Sequence, residues 1–322
     1  MWQQRPRKRP RTYRNRVGYR RYWRLVPFVL CALVLAVSAW KLIGYLSDYR
    51  RSLQISAELR QIYEEANEPP VTEAPFVVVA AAETPVVTEA PVPTPAATAD
   101  PLATMAPQAY PANPYRVISD RFVKLRRQNS DIIGWLSADD LLSEAVVQRD
   151  NTYYLRRDYR GYHNTNGAIF LDEDCSLSTR PYTLILYGHN MKTGAMFGAL
   201  RNYENLSFYR SNPFITFDTM YEEGRYVIFS VAEVSLNVGA RNYSGFYRLQ
   251  TCTNMERDAI IAGLCELSKH TCTIDVNRDD QLLLLVTCVG DDTDRRIVAA
   301  RRVRDGESEA ELLHQVQSSR NR

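Results

Sequence analysis

Residues 281–290 read QLLLLVTCVG: five consecutive apolar residues, Leu282 to Val286, then Thr287 and Cys288, with DDTDRR immediately after Gly290. A short continuous apolar run between turn residues is the pattern of a strand built for burial. Similar runs recur along the chain between turn residues: IIGWL, AVVQ, GAIFLD, YTLILYG, PFITF and RYVIFSVAEV before it, and RRIVAARRV after it. Many short strands at this spacing argue for a mainly β protein with a closed or sandwiched architecture. One insertion interrupts the series just ahead of the opening stretch. In ERDAIIAGLCELSKH (Glu256 to His270), Ile260, Leu264 and Leu267 fall at helical spacing, which predicts an amphipathic helix packed on the sheet. Before the first strand, Ile118, Phe122 and Leu125 share a helical face, and Asn129 to Asp131 read as its stop.

The formal net charge of +3 conceals an uneven distribution. Residues 1–24 hold ten Arg and Lys and no acid, and the remainder carries 30 basic against 37 acidic residues. A folded part with a net −7 has no footprint for nucleic acid. After the basic head comes the apolar run from Leu25 to Leu46, interrupted by Lys41, whose ammonium can snorkel to the interface. Its length is close to the ~20 residues that cross a hydrocarbon core. The positive flank places the N-terminus in the cytoplasm and the bulk of the chain outside, as a single-pass protein of the cell membrane. A cleaved leader is the competing reading, with Val37-Ser38-Ala39 as cleavage site and a mature start at Trp40.

The expected organisation is therefore a basic tail (1–24), a transmembrane anchor in the lipid bilayer (25–46), a stalk helix (47–67), a linker (68–113), a folded domain (114–305) and a polar C-terminal tail (306–322). The stalk is read from Leu53, Ile55, Leu59 and Ile62. The linker is rich in Pro, Ala and Thr, lacks apolar periodicity, and in polyproline II form could span on the order of 140 Å.

Among four histidines, His163 lies in a polar loop, His270 at the end of the predicted helix and His314 in the tail, whereas His189 follows TLILYG and opens a loop. Among six cysteines, Cys31 lies in the apolar span, Cys175 in a loop and Cys265 on the helix, while Cys252 and Cys272 flank that helix and could pair. Cys288 ends its strand as His189 ends its own. A buried inert thiol is the commonest fate of a free cysteine. Against that reading, the following strand supplies Arg295 and Arg296, and a guanidinium favours thiolate. Asp291, Asp292 and Asp294 would offset part of that effect. Cys, His and Arg at strand ends can serve as nucleophile, general acid/base and oxyanion clamp. No CxxC pair or oxygen-ligand cluster marks a metal site, and nothing calls for a cofactor.

Five blocks, in order, carry a resemblance to the sortases, class B most closely: NSDIIGWL, AVVQRDNTYYLRRDYRGYHNTNGAIFLD, LILYGHNMKTGAMFGAL, LLLLVTCVG and RRIVAARRV. The resemblance runs from about Phe122 to Arg304. It implies a closed β-barrel of about eight strands with N-terminal helices and one helix inserted before the cysteine strand. It also implies a membrane-anchored cysteine transpeptidase. In that scheme Cys288 attacks the threonyl carbonyl of a sorting motif on surface proteins, and His189 moves the protons. The acceptor amine belongs to a peptidoglycan precursor or a pilin lysine. The family's arginine pattern R-x-x-V-x-A-R fits Arg295 to Arg301, with Arg296 as the alternative; successive strand residues face opposite ways, so only one enters a cleft. Two other readings stay open. One is a cell-wall thiol peptidase of another fold, which would usually place cysteine before histidine in the chain. The other is a membrane-tethered scaffold with an incidental thiol.

Overall fold

The computed structural model describes residues 25–66, 108–139, 141–290 and 293–322. The expected basic tail, residues 68–107 of the expected linker, and Asp291 and Asp292 lie outside the described residues. Each apolar run singled out above is a strand: β1 Ile132–Ala138, β2 Leu142–Val147, β3 Ile169–Leu171, β4 Thr183–Tyr187, β5 Phe214–Thr219, β6 Arg225–Ser235, β7 Leu282–Val289 and β8 Asp294–Arg302. They close into a barrel in the order β1-β2-β3-β4-β7-β8-β6-β5. The pairs β2/β3 and β4/β7 are parallel and the other pairs antiparallel.

β7 sits between β4 and β8, and every residue from Leu282 to Thr287 is buried. Both of its faces are covered, which is why its apolar run does not alternate. On the other side of the barrel the period of two is visible. Leu142, Val146, Ile169 and Leu171 belong to the main core cluster, while Ala145, Val147, Ala168 and Phe170 belong to a second cluster outside the barrel.

Helices complete the covering: α1 Val26–Glu65, α2 Asp120–Gln128, α3 Leu206–Ser211, α4 Asn254–Glu266 and α5 Glu309–Gln317. α4 is the helix expected before the cysteine strand. Thr253 and Glu256 form a capping box at its start, and it buries Ile260 and Leu264. α2 buries Phe122 and Leu125 as their spacing predicts.

The chain divides into two compact units, Met1–Arg50 and Arg51–Arg322. Within the first, α1 carries an apolar window whose side chains are exposed, so it is not the core helix of that unit. It is long and apolar enough to cross a membrane, by length and composition. Within the second, packing extends past the expected limits of 114–305 in three places. The stalk residues pack on the domain: Ser52, Ile55, Leu59 and Tyr63 are buried, while Leu53, assigned to the apolar face, is exposed. Tyr63 stacks on Trp135 at 4.5 Å, and the Asn164 and Asn166 amides both donate to the Ser52 hydroxyl. The polar tail is not loose either. α5 buries Leu312 and Val316 in the main core, two apolar residues one helical turn apart that suffice to seat an otherwise charged helix. Packing against the domain also begins before residue 114, since Tyr110 is buried and Gln108 bridges to Arg180. With residues 51–65 and 108–113 both packed on the domain, the Pro/Ala/Thr-rich stretch joins two docked segments.

Candidate active site

The end of β7 emerges from the core at Cys288, the first exposed residue after six buried ones. Its antiparallel partner β8 brings Arg295 directly opposite Cys288, and Arg296 opposite Thr287. Residues directly opposite in an antiparallel pair project from the same face. Sulfur and the Arg295 guanidinium therefore share one side of the barrel wall and Arg296 takes the other. Arg296 is buried there: its Nη2 reaches Glu233 Oε1 at 2.9 Å and pairs with Glu204, and Lys269 Nζ joins both carboxylates at 3.1 and 3.4 Å. Burial opposes ionisation of Glu204, but Lys269 and Arg296 together hold its carboxyl below the ordinary value. Arg296 is thus a structural cation held away from the thiol. Arg295 is half-exposed and donates from Nη1 to the Asp294 carbonyl at 3.0 Å.

β4 runs parallel to β7, with Tyr187 beside Val286 and the Gly188 amide donating to the Val286 carbonyl at 3.3 Å. Continuing that alignment by two residues sets His189 alongside the cysteine end of β7. The Asn190 side chain anchors it there, donating from Nδ2 to the Cys288 carbonyl at 2.8 Å. Glycine at 188 has a local reason, since a Cβ would come within 2.8 Å of the Phe197 ring. The loop after His189 folds back so that the Met191 and Phe197 amides donate to the His189 carbonyl.

The His189 ring is held from a third direction. Its Nε2 lies 2.6 Å from the carbonyl oxygen of Leu155, in the short 3-10 helix Tyr153–Arg156. A carbonyl can only accept, so Nε2 carries the hydrogen and the neutral ring keeps its lone pair on Nδ1. A backbone carbonyl here takes the orienting role that a carboxylate plays in many triads.

The sequence reading picked out Cys288, His189 and Arg295, and the structure sets the thiol and guanidinium side by side with the histidine loop tied to the same strand end. The reading missed Asn190, which stands next to the histidine in the chain, and the Leu155 carbonyl, for which no side-chain signal exists. The remaining histidines have other places: His270 is buried with both ring nitrogens in hydrogen bonds, to Asn321 and the Tyr203 carbonyl, His163 bridges to Arg157, and His314 sits on α5. Cys175 is buried, and burial pushes its thiol up to about 12. Among the described residues no cluster of His, Cys, Asp and Glu could hold a metal ion.

No family model matches the chain. It is 28% identical over 193 residues to sortase B of Listeria monocytogenes serovar 1/2a, covering 59% of this chain and 74% of the relative. It is also 28% identical over 194 residues to sortase B of Staphylococcus aureus, covering 58% and 75%. Among solved structures, sortase B from B. anthracis matches with a TM-score of 0.56 at 25% identity, over 80% of this chain and 97% of the other. The S. aureus sortase B–substrate complex matches with a TM-score of 0.51 at 25% identity, over 59% and 87%.

Proposed function

We propose that this class B sortase, a cysteine transpeptidase, uses Cys288 as nucleophile, His189 as general acid and base, and Arg295 as the cation facing the acyl carbonyl. The observation that carries the assignment is the pairing of Cys288 with Arg295 across β7 and β8, with Asn190 tying the histidine loop to the backbone carbonyl of Cys288 itself.

The reaction proceeds in two displacements. The Cys288 thiolate attacks the threonyl carbonyl of a sorting motif, and charge develops on its oxygen within reach of the guanidinium. Stabilisation of that kind is worth about 10²–10³ in rate per donor in well-studied hydrolases. Imidazolium at His189 gives a proton to the departing amine and leaves the ring neutral. With Nε2 committed to the Leu155 carbonyl, Nδ1 is the nitrogen that exchanges this proton. The thioester then meets an incoming amine, whose proton passes to Nδ1 as nitrogen replaces sulfur at the carbonyl. Holding the ring on a fixed carbonyl keeps it from turning between these two steps.

The S. aureus sortase B was solved as a substrate complex, and a sortase B was solved with triglycine. Those ligands support a sorting-motif peptide as donor and an amine-ended peptidoglycan precursor as acceptor; a pilin lysine is the alternative acceptor amine. The apolar stretch of residues 25–46 supports a single-pass membrane anchor, and the basic residues 1–24 ahead of it support a cytoplasmic N-terminus and an extracellular domain.

The test is cleavage of a sorting-motif peptide library with and without an added amine. Cys288→Ala abolishes cleavage and leaves the thermal transition in place, because the side chain is exposed; His189→Ala is nearly as damaging. Turnover retained by Cys288→Ala removes the assigned nucleophile.

A further inference from the structure

The structure places a pair of sulfurs away from Cys288. The Cys265 thiol, on the last turn of α4, donates to the Cys272 sulfur at 2.7 Å. The sequence suggested Cys252 as the partner of Cys272. Cys252 is instead buried near the 3-10 helix Phe246–Gln250, and it is Cys265 that Cys272 meets. Two thiols reach each other only if the backbone carries their Cβ atoms to within a few ångströms. That condition is already met here without a conformational change.

The segment between the two cysteines is pinned rather than free. The Leu267 amide donates to the Gly263 carbonyl, ending α4. Ser268 Oγ accepts from the Val231 amide and the Lys269 amide donates to the Val231 carbonyl, which sews the turn to β6. On the other side, the Thr271 amide donates to the Arg320 carbonyl and the Arg322 amide to the Lys269 carbonyl. Cys265 and Cys272 are partly exposed residues at the edge of the main core, in contrast to the buried Cys175 and Cys252.

We propose that Cys265 and Cys272 form a covalent cross-link, oxidised to a disulfide by a low-molecular-weight disulfide or by the disulfide of a thiol oxidoreductase. The Cys272 thiolate attacks one sulfur of the oxidant and expels the other as a thiolate, giving a mixed disulfide on Cys272. Cys265 then loses its proton, attacks the Cys272 sulfur, and expels the remaining half of the oxidant. Two protein thiols give up two electrons and two protons, and the oxidant's S–S bond takes them to become two thiols. The hydrogen bond from Cys265 holds the Cys272 thiol below its ordinary value, and Arg322 favours thiolate at both sulfurs.

The link would staple the end of α4 to the segment that presents Lys269 to Glu204 and Glu233. Those carboxylates hold Arg296, the chain neighbour of Arg295. The staple thus braces the layer behind the arginine of the proposed active site while remaining apart from the nucleophile.

The experiment needs no turnover, so it is independent of the Cys288 assignment. The full chain, purified in detergent without reductant, is treated with oxidised glutathione, quenched with iodoacetamide under denaturing conditions and digested with trypsin. Cleavage after Lys269 separates the two cysteines onto the peptides Asp258–Lys269 and His270–Arg278. The expected result is that the singly alkylated forms of both peptides are lost and a disulfide-joined pair replaces them, reverting on treatment with dithiothreitol. In Cys265→Ser, Cys272 should instead be recovered as its glutathione adduct, and faster than Cys265 is in Cys272→Ser, as expected if Cys272 is the attacking thiol. Recovery of both peptides fully alkylated after oxidation, or Cys272 joined to Cys252, overturns the proposal.

Discussion

Arg295 and Arg296 are adjacent in the chain, yet their replacement should damage the protein in opposite ways. Arg296 is 9% exposed at its side chain and serves Glu204 and Glu233, each about one-third exposed. Breaking a fully buried ion pair costs about 3–5 kcal/mol, and an exposed pair about 0–1. Partial exposure of both carboxylates and the retained Lys269 place Arg296→Ala between these limits, at about 2 kcal/mol. For a domain of this size that corresponds to a fall in Tm of about 4–8 °C. Its kcat/KM, read well below the transition, should stay within about fivefold of the parent, because the side chain projects from the face opposite the sulfur. Arg295→Ala removes a partly exposed side chain and should shift Tm by no more than about 1 °C. Loss of a cation at the acyl oxygen should lower kcat/KM by about 10²–10³, chiefly in kcat. Arg295→Lys tests geometry as well as charge and should recover only part of the rate, since an ammonium lacks the planar fork. The assay is peptide cleavage and thermal melting on the same preparations. A stable, inactive Arg296→Ala paired with an unstable, active Arg295→Ala would refute the strand-face argument.

Other consequences are open to measurement. A domain beginning at residue 51 should melt at least several degrees above one beginning at residue 114, because the shorter form exposes Trp135 and the cluster that Ile55, Leu59 and Tyr63 cover; equal melting would deny the docked helix any energetic role. Asn190→Ala should leave stability nearly unchanged and reduce turnover about tenfold by freeing the His189 loop from the Cys288 carbonyl; undiminished turnover would remove Asn190 from the site. Glu144 lies under α1, where burial pushes its carboxyl up to about 7 from an ordinary 4.5, with the Ser56 hydroxyl and Arg60 opposing the shift. The folded state then holds a proton that the unfolded state releases, so this contribution to stability is whole below about pH 4.5 and is lost as pH rises through about 7. Relative to Glu144→Gln, the parent should lose Tm between about pH 4.5 and 7, and parallel profiles would contradict this.

Much of the architecture was legible because strands and helices are local. Each of the eight apolar runs became a strand, since a run of four to eight apolar or alternating residues has few other ways to be buried. α4 was readable from Ile260 and Leu264, and the two strand-end residues Cys288 and His189 stood out because they follow apolar runs. Features that depend on distant partners were not legible. Residues 51–65 and 309–317 carry apolar stripes too narrow to mark docking, and what they pack against, Phe122 and Trp135 for the first and the main core for the second, comes from distant parts of the chain.

The sequence alone determined which segments become strands and that a thiol, an imidazole and an arginine stand at their ends, because side-chain periodicity is a property of the chain itself. Tertiary structure decided which arginine faces the thiol, which cysteine meets Cys272, and that a backbone carbonyl holds the histidine. The physical reason is register: β7 and β8 pair so that Cys288 meets Arg295, and a slip of one residue would have presented Arg296 instead. The adjacent arginines do not by themselves specify that alignment; the closed barrel, which pairs β7 with β4 and β8 with β6, does.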